Sequence, residues 1–280
     1  MNALQPVYQV MNQGILQDFI NSLLVETIIP EQFIFDFATA QTALNQHGKN
    51  LQEVFKNTSE QFSFVLLHEE NRQGLVMFTV QKGITQAWKF ANETEVFLLE
   101  RTNDHVQINV IGIIELFEFI QAIGLFNHCS ADKVQAFYEQ LQKCLKQYHL
   151  LQQHRVNAHD LLNQSLAHRF RILEQYAGYR DRPYHPLAKL KEGLSQQEYM
   201  QYCPEFAQEL SIHWVAVHKD KMMFGEGVEN IFKQQPSEIF IPRSERYQLK
   251  QEMFQRGLNE THIAMPIHPW QFEHLFPKFY

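Results

Sequence analysis

Cysteine is scarce in this chain. Its 280 residues include three, Cys129, Cys144 and Cys203. The number is odd and no two have metal-ligand spacing, which argues against a disulfide framework or a cysteine zinc site and fits a reducing compartment. No run of about 18 apolar residues occurs, so no membrane span is expected. The opening residues MNALQPVYQVMNQG lack a basic stretch followed by an apolar one, so no signal peptide is expected either, and the expected location is cytoplasmic. Positive charge is not in excess. Lys plus Arg is 24 against 31 for Asp plus Glu, a net charge of −7. A whole-chain basic footprint for nucleic acid is therefore absent, and an anionic substrate would need a local basic pocket. There is no internal repeat and no low-complexity segment. Gly225-Glu226-Gly227 is too short for a phosphate-cradling loop and lacks a following Lys-Ser/Thr.

The apolar content is 45%, ordinary for a globular chain, and the 23 phenylalanines read first as core filling. The length suits one large domain or two moderate ones. Over residues 7–27, Val10, Met11, Ile15, Phe19, Ile20, Leu23 and Leu24 recur at spacings of three and four, which predicts an amphipathic helix. Two hairpins follow. FSFVLLH leads through 69–74 to LVMFTVQ, and EVFLLER leads through 102–104 to HVQINVIG; β-branched and aromatic runs separated by polar turns favour strands. Helical periodicity returns over 131–151, with Ser130 as N-cap, and again from about 157 to 176 through Leu161, Leu162, Leu166, Phe170 and Leu173. Ala177-Gly178 reads as the end of that second helix. Residues 212–217 and 263–267 are strand candidates. The expected class is α+β: a helix-rich region with hairpins over 1–177, then a β-containing region over 178–280.

That second region carries the chemistry. Arg182-Pro183-Tyr184-His185-Pro186-Leu187-Ala188-Lys189-Leu190-Lys191-Glu192-Gly193 is answered near the end by Ile267-His268-Pro269-Trp270-Gln271. Each places an imidazole before a proline, and proline pushes its predecessor toward extended backbone. Both histidines are thereby held on stiff chain. Imidazole can donate a hydrogen bond in either protonation state, and lysine is a compact cation that meets phosphate oxygens. His185 and Lys189 are the leading candidates for binding a phosphate or carboxylate, with Arg182, Lys191 and His268 beside them. His185 and Lys189 are expected to face a cleft, with Arg182 at its rim and His268 within reach. Each also has a blander reading: a structural turn for the histidines, solvated side chains for the lysines, and a helix-start residue for Glu205 after Pro204. His213 and His218 flank Trp214 at a spacing that fits no helical metal pair.

These motifs resemble the IucA/IucC family of siderophore synthetases that act independently of nonribosomal peptide assembly lines. Pro183, His185, Pro186, Lys189 and Gly193 match its first element. Tyr202, Pro204, Glu205 and Phe206 match a second, followed by Trp214 and Ala216. Pro266, His268, Pro269, Trp270 and Gln271 match a later one. The resemblance implies ATP-dependent activation of a citrate-like polycarboxylate through an acyl-adenylate, with Mg²⁺ on the triphosphate, then attack by an amine or a hydroxyl. It also implies that His185, Lys189, Arg182, Lys191 and His268 serve the nucleotide; no catalytic residue and no protein-held metal is assigned. Arg182 stands where the family has the first His of a double His-Pro, Asp181 where it has Gly, and Lys191 where it has Arg. Members of the family are about twice this long and continue into a Ser-x-Arg-Thr element. Here the nearest sequence, Ser244-Glu245-Arg246-Tyr247, lies upstream and lacks the threonine. The chain is therefore expected to be an N-terminal portion, a truncated product or a split subunit, without the C-terminal catalytic region; that leaves an apolar face open to self-association, and a C-terminal partner chain or a homo-oligomer is the partner this implies. The alternative is a degenerate binding or assembly module that retains the fold without the activity.

Overall fold

The computed structural model describes residues 13–55, 61–69, 74–91, 95–102, 105–154, 161, 164–180, 185–223 and 241–276. The chain divides into two compact units, Met1–Phe206 and Ala207–Tyr280. The limit expected at 177/178 falls within a continuous helix, Leu166–Arg180.

The first unit is built on an antiparallel sheet. Its strands are β1 (Ile34–Phe35), β2 (Ser63–Glu69), β3 (Gly74–Lys82), β4 (Trp88–Phe90), β5 (Val96–Thr102) and β6 (His105–Ile111), in the order β1-β2-β3-β5-β6 with β4 paired to β3. Both expected hairpins are present. β2 pairs β3 from Ser63↔Val80 to Glu69↔Gly74, and β5 pairs β6 from Val96↔Ile111 to Thr102↔His105. Successive strand residues point to opposite faces. Val65, Leu67, Val76, Phe78 and Val80 enter one core, while Phe64, Leu66, Leu75, Met77 and Leu99 enter another. Both faces of β3 are covered, which is why it reads as a nearly continuous apolar run.

Helices supply the cover. On the second face lie α2 (Phe37–Gln46), capped by Asp36 accepting from the Thr39 amide, and the short α3 (Leu51–Val54). On the first face α1 (Gln13–Val25) buries Ile15, Leu16, Phe19, Ile20, Leu23 and Leu24, the stripe its spacing predicted. Burying one such side chain contributes roughly 1.5–3 kcal/mol. Asn21, also buried, accepts from the Phe90 amide at 2.8 Å and ties α1 to β4. α4 (Ile113–Ala122) and α5 (Ala131–Gln153) complete this layer. Phe19, Phe117 and Phe137 meet ring to ring at centroid separations of 6.2, 6.4 and 5.8 Å, so these phenylalanines do fill the core.

α6 (Leu166–Arg180) departs from expectation twice. It runs through Gly178 rather than ending there, and Leu166, Phe170 and Leu173 are exposed rather than buried. The expected start near 157 falls outside the described residues. α7 (Gln196–Tyr202) begins with a capping box made by Ser195 and Glu198 and is followed by a 3₁₀ turn, Pro204–Phe206.

The second unit holds a two-stranded antiparallel sheet, β7 (His213–His218) with β8 (His262–Ile267), together with α8 (Arg243–Gln255) and α9 (Pro269–His274). Pro266 sits in β8 opposite Trp214. A two-stranded ladder tolerates it because each strand is also an edge. No described helix is long and apolar enough to cross a membrane.

Candidate functional site

The His-Pro segment after α6 is a compact turn, closed by the Ala188 amide on the His185 carbonyl (2.9 Å) and the Leu190 amide on the Leu187 carbonyl (3.0 Å). α5 anchors it. The buried Gln147 side chain accepts from the Lys191 amide at 2.8 Å and donates to the Lys191 carbonyl at 3.0 Å, so one side chain satisfies both backbone groups as a neighbouring strand would. The Cys144 thiol lies 3.6 Å from the Pro186 carbonyl.

The turn brings His185 and Lys189 to a cleft of about 180 Å³ whose wall also includes Gly14, Asp18, Tyr148 and Tyr179. His185 is exposed at its edge. Lys189 is buried, at 7% exposure, and its ammonium donates to the Gly178 carbonyl at 2.6 Å. A cation suits that place, because carbonyls in a helix's last turn carry partial negative charge. Gly14 lets the wall close: a Cβ there would come within 2.9 Å of the Tyr148 hydroxyl. The Tyr179 hydroxyl donates to the Leu151 carbonyl, which ties α6 to α5.

Lys191 points elsewhere. Its ammonium stands 3.6 Å from Glu205 Oε1, with the lysine side chain 31% and the glutamate 1% exposed. Among the described residues neither carboxylate oxygen of Glu205, nor the buried Tyr199 hydroxyl, receives or makes a hydrogen bond. Glu205 packs directly on α6, where a Cβ on Gly178 would lie 2.6 Å from its Cγ and 2.9 Å from its Cδ. The backbone carbonyl of Glu205 accepts from Gln175 of the same helix at 3.2 Å. Burial, then the charge of Glu205, raises the Tyr199 phenol far above its usual range, and the same two causes push the Cys203 thiol up to about 11. Burial likewise pushes Cys144 up to about 11. Both thiols stay protonated at neutral pH, which removes them as nucleophiles.

His268 belongs to the second unit, where it caps α9. Its Nδ1 accepts from the Trp270 amide at 3.2 Å, and Pro269 occupies the first helical position. In the neutral ring the proton is then on Nε2, leaving that nitrogen a donor. His213 stacks on Phe272 at 4.2 Å, and His218 meets His262 edge to face at 4.9 Å. Among the described residues no three His, Cys, Asp or Glu side chains converge as a metal site. Arg182 lies outside the described residues, as does the Gly225-Glu226-Gly227 turn.

Of the five residues singled out from sequence, His185 and Lys189 share the cleft, Lys191 joins Glu205, and His268 sits in its own unit. Three participants were not foreseen: Gln147, which reads as an ordinary helix residue; Gly178, taken for a helix stop; and Asp18, which lies between the apolar positions of α1. The donors and positive charge on the cleft's wall suit a phosphoryl or carboxylate group.

A family model described as IucA / IucC family matches residues 169–280. Staphyloferrin B synthase of Staphylococcus aureus is 34% identical over 113 residues, 40% of this chain and 18% of that protein. Aerobactin synthase of Escherichia coli is 26% identical over 159 residues, 56% of this chain and 26% of that one. Among solved structures, petrobactin biosynthesis protein AsbB from Bacillus anthracis superposes with a TM-score of 0.62 at 18% identity, over 99% of this chain and 40% of that one. ATP-bound aerobactin synthetase IucA from Klebsiella pneumoniae gives 0.55 at 20% identity, over 94% and 40%. The chain thus spans about a fifth to a quarter of these curated relatives and 40% of these structures.

Proposed function

We propose, from the match of residues 169–280 to the IucA / IucC family model, that this chain belongs to that family and serves siderophore biosynthesis as the His-Pro portion of an ATP-dependent acid–amine ligase. In that reaction a carboxylate oxygen of a citrate-like acid attacks the α-phosphorus of ATP. The bond to the β-phosphate oxygen breaks and pyrophosphate leaves. An amine nitrogen then attacks the acyl carbon, AMP departs, and the nitrogen loses a proton. Support for ATP comes from the ATP-bound IucA neighbour. Support for acid and amine comes from a similar citryl-spermidine ligase of Bacillus anthracis, whose name pairs a citryl group with spermidine.

The observation that carries the reading is the convergence on one cleft of His185 and Lys189, two residues of the family-matched segment. His185 would donate to a phosphoryl or carboxylate oxygen, with no change of protonation required. Lys189 supplies positive charge at the wall while its bond to Gly178 holds the turn on α6. Lys191 fastens the turn through Glu205 instead of reaching a ligand. In the second unit His268 would offer its Nε2 proton to an anion. Mg²⁺, when bound with the nucleotide, would supply charge neutralisation on the phosphates; Asp18, the one carboxylate lining the described cleft, is the residue that would hold it.

A second reading, a binding or assembly module without turnover, draws on Lys189 and Lys191 both engaging protein groups, a carbonyl and a carboxylate. Saturable Mg-ATP binding that depends on His185 separates these readings, and pyrophosphate release from Mg-ATP, with citrate and other polycarboxylates, tests whether this chain turns over by itself. The expected result for this chain alone is release near the carboxylate-free background, since it spans 40% of the solved synthetases. Robust citrate-dependent turnover lost in His185→Ala would show instead that a self-contained active site resides here.

A further inference from the structure

A second pocket, of about 280 Å³, opens between α1, α4, α5 and the His-Pro turn. Its wall is mostly aromatic: Phe19 of α1, Phe117 of α4, Phe137 of α5, and Phe126 from the link between α4 and α5. Phe117 lies 5.2 Å from Phe126 and 5.8 Å from Phe137, centroid to centroid. An apolar cavity of roughly 150 Å³ already takes a benzene ring, so this one has room for a fused pair. Polar groups are few. Ser22 Oγ spends its proton on the Phe19 carbonyl at 2.7 Å. Lys133 is exposed and is the single charged residue of the lining. Among the described residues no carboxylate pairs with its ammonium. Asp132, beside it in the first turn of α5, is exposed and does not line the pocket. An apolar wall with one unpaired ammonium at its edge suits an apolar body bearing a single negative charge. A second charge on the ligand would be stranded against phenylalanine.

We propose that this pocket is a binding site for a small aromatic monocarboxylate, its rings among the phenylalanines and its carboxylate on Lys133. Rings fit better than an alkyl chain for two reasons. Aromatic pairs at these separations gain more than their buried area alone, and a rigid body loses less freedom on binding. The site is separate from the cleft of His185. Pro186 is the one residue that lines both, so an occupant rests against the turn that carries His185 without entering its cleft.

Titration calorimetry of the whole chain with naphthoate at low ionic strength tests this. The expected dissociation constant is about 0.1–1 mM. Decanoate, a flexible carboxylate of similar size, should bind at least about threefold more weakly. Lys133→Met should weaken naphthoate about threefold and leave its neutral analogue naphthalenemethanol unchanged, because only the charge contact is lost. Val134→Trp, which fills the pocket from a half-buried position on α5, should abolish binding of both. Cys129 reports the location, since it lines the pocket and is exposed, whereas Cys144 is buried and Cys203 half-buried. Saturating naphthoate should slow alkylation of Cys129 by N-ethylmaleimide about threefold or more, read by peptide mass. No binding of naphthoate would overturn the proposal. So would binding that leaves Cys129 unprotected, that persists in Val134→Trp, or that is indifferent to Lys133→Met. Decanoate bound as tightly as naphthoate would overturn the assignment to an aromatic ligand.

Discussion

Gly178→Ala should destabilise the protein, although the same exchange within an ordinary helix is favourable by about 1 kcal/mol. The sign reverses because of one contact. The new methyl would lie 2.6 Å from Glu205 Cγ and 2.9 Å from its Cδ, well inside van der Waals separation. Glu205 is 1% exposed and has no solvent to swing into. Overpacking of this kind costs about 1–3 kcal/mol, and pushing Glu205 aside also disturbs its pairing with Lys191. A net loss of about 1–2 kcal/mol should appear as a fall of several degrees in the unfolding midpoint, read by circular dichroism. The control lies in the background. In Glu205→Ala the obstruction is gone, and Gly178→Ala should there become neutral or stabilising. Stabilisation of the otherwise native chain by Gly178→Ala would refute the contact.

Lys191→Met should do comparable or greater damage. It leaves a buried carboxylate without the one cation that pairs with it among the described residues. Breaking a fully buried pair costs about 3–5 kcal/mol, but Lys191 is 31% exposed and stands at 3.6 Å, so about 2 kcal/mol is a better figure. Glu205→Gln should cost less, since a lysine deprived of its partner can turn to water whereas the glutamate cannot. The double variant Lys191→Met/Glu205→Gln should be more stable than Lys191→Met alone, because the neutral amide removes the uncompensated charge. Urea unfolding of the four proteins measures the coupling. Additive losses would mean that the two side chains do not act as a pair.

How far the sequence disclosed this arrangement depended on the reach of each determinant. The hairpins were legible because a strand's period and its turn lie within a dozen residues, and the registers Ser63↔Val80 and Val96↔Ile111 follow from them. α1 was legible for the same reason, its stripe Ile15, Phe19, Ile20 and Leu23 being both the pattern and the core. α6 was legible as a helix but not in its orientation. Periodicity shows that apolar residues share a face, not whether that face turns inward. Gly178 was misread because its reason for being glycine is Glu205, far along the chain, whereas a helix-stop signal is judged from its immediate neighbours. Gln147 left no trace at all: its partner Lys191 is 44 residues away and any polar residue satisfies the pattern there. His185 and Lys189 could be singled out because proline stiffness and cation type are local. Their shared cleft depends on α1 and α5, which no local signal ties to residues 185–189.

The central claim is that the turn bearing His185 and Lys189 binds nucleotide, and titration calorimetry with Mg-ATP tests it most directly. The expected result is weak but saturable binding, with a dissociation constant of about 0.1–1 mM. His185→Ala should weaken it about tenfold while leaving the melting curve in place, because His185 is exposed and its removal disturbs no packing. Saturable binding unchanged in His185→Ala, or no binding at any concentration of Mg-ATP, would contradict the claim and leave the non-catalytic module as the better account of the chain.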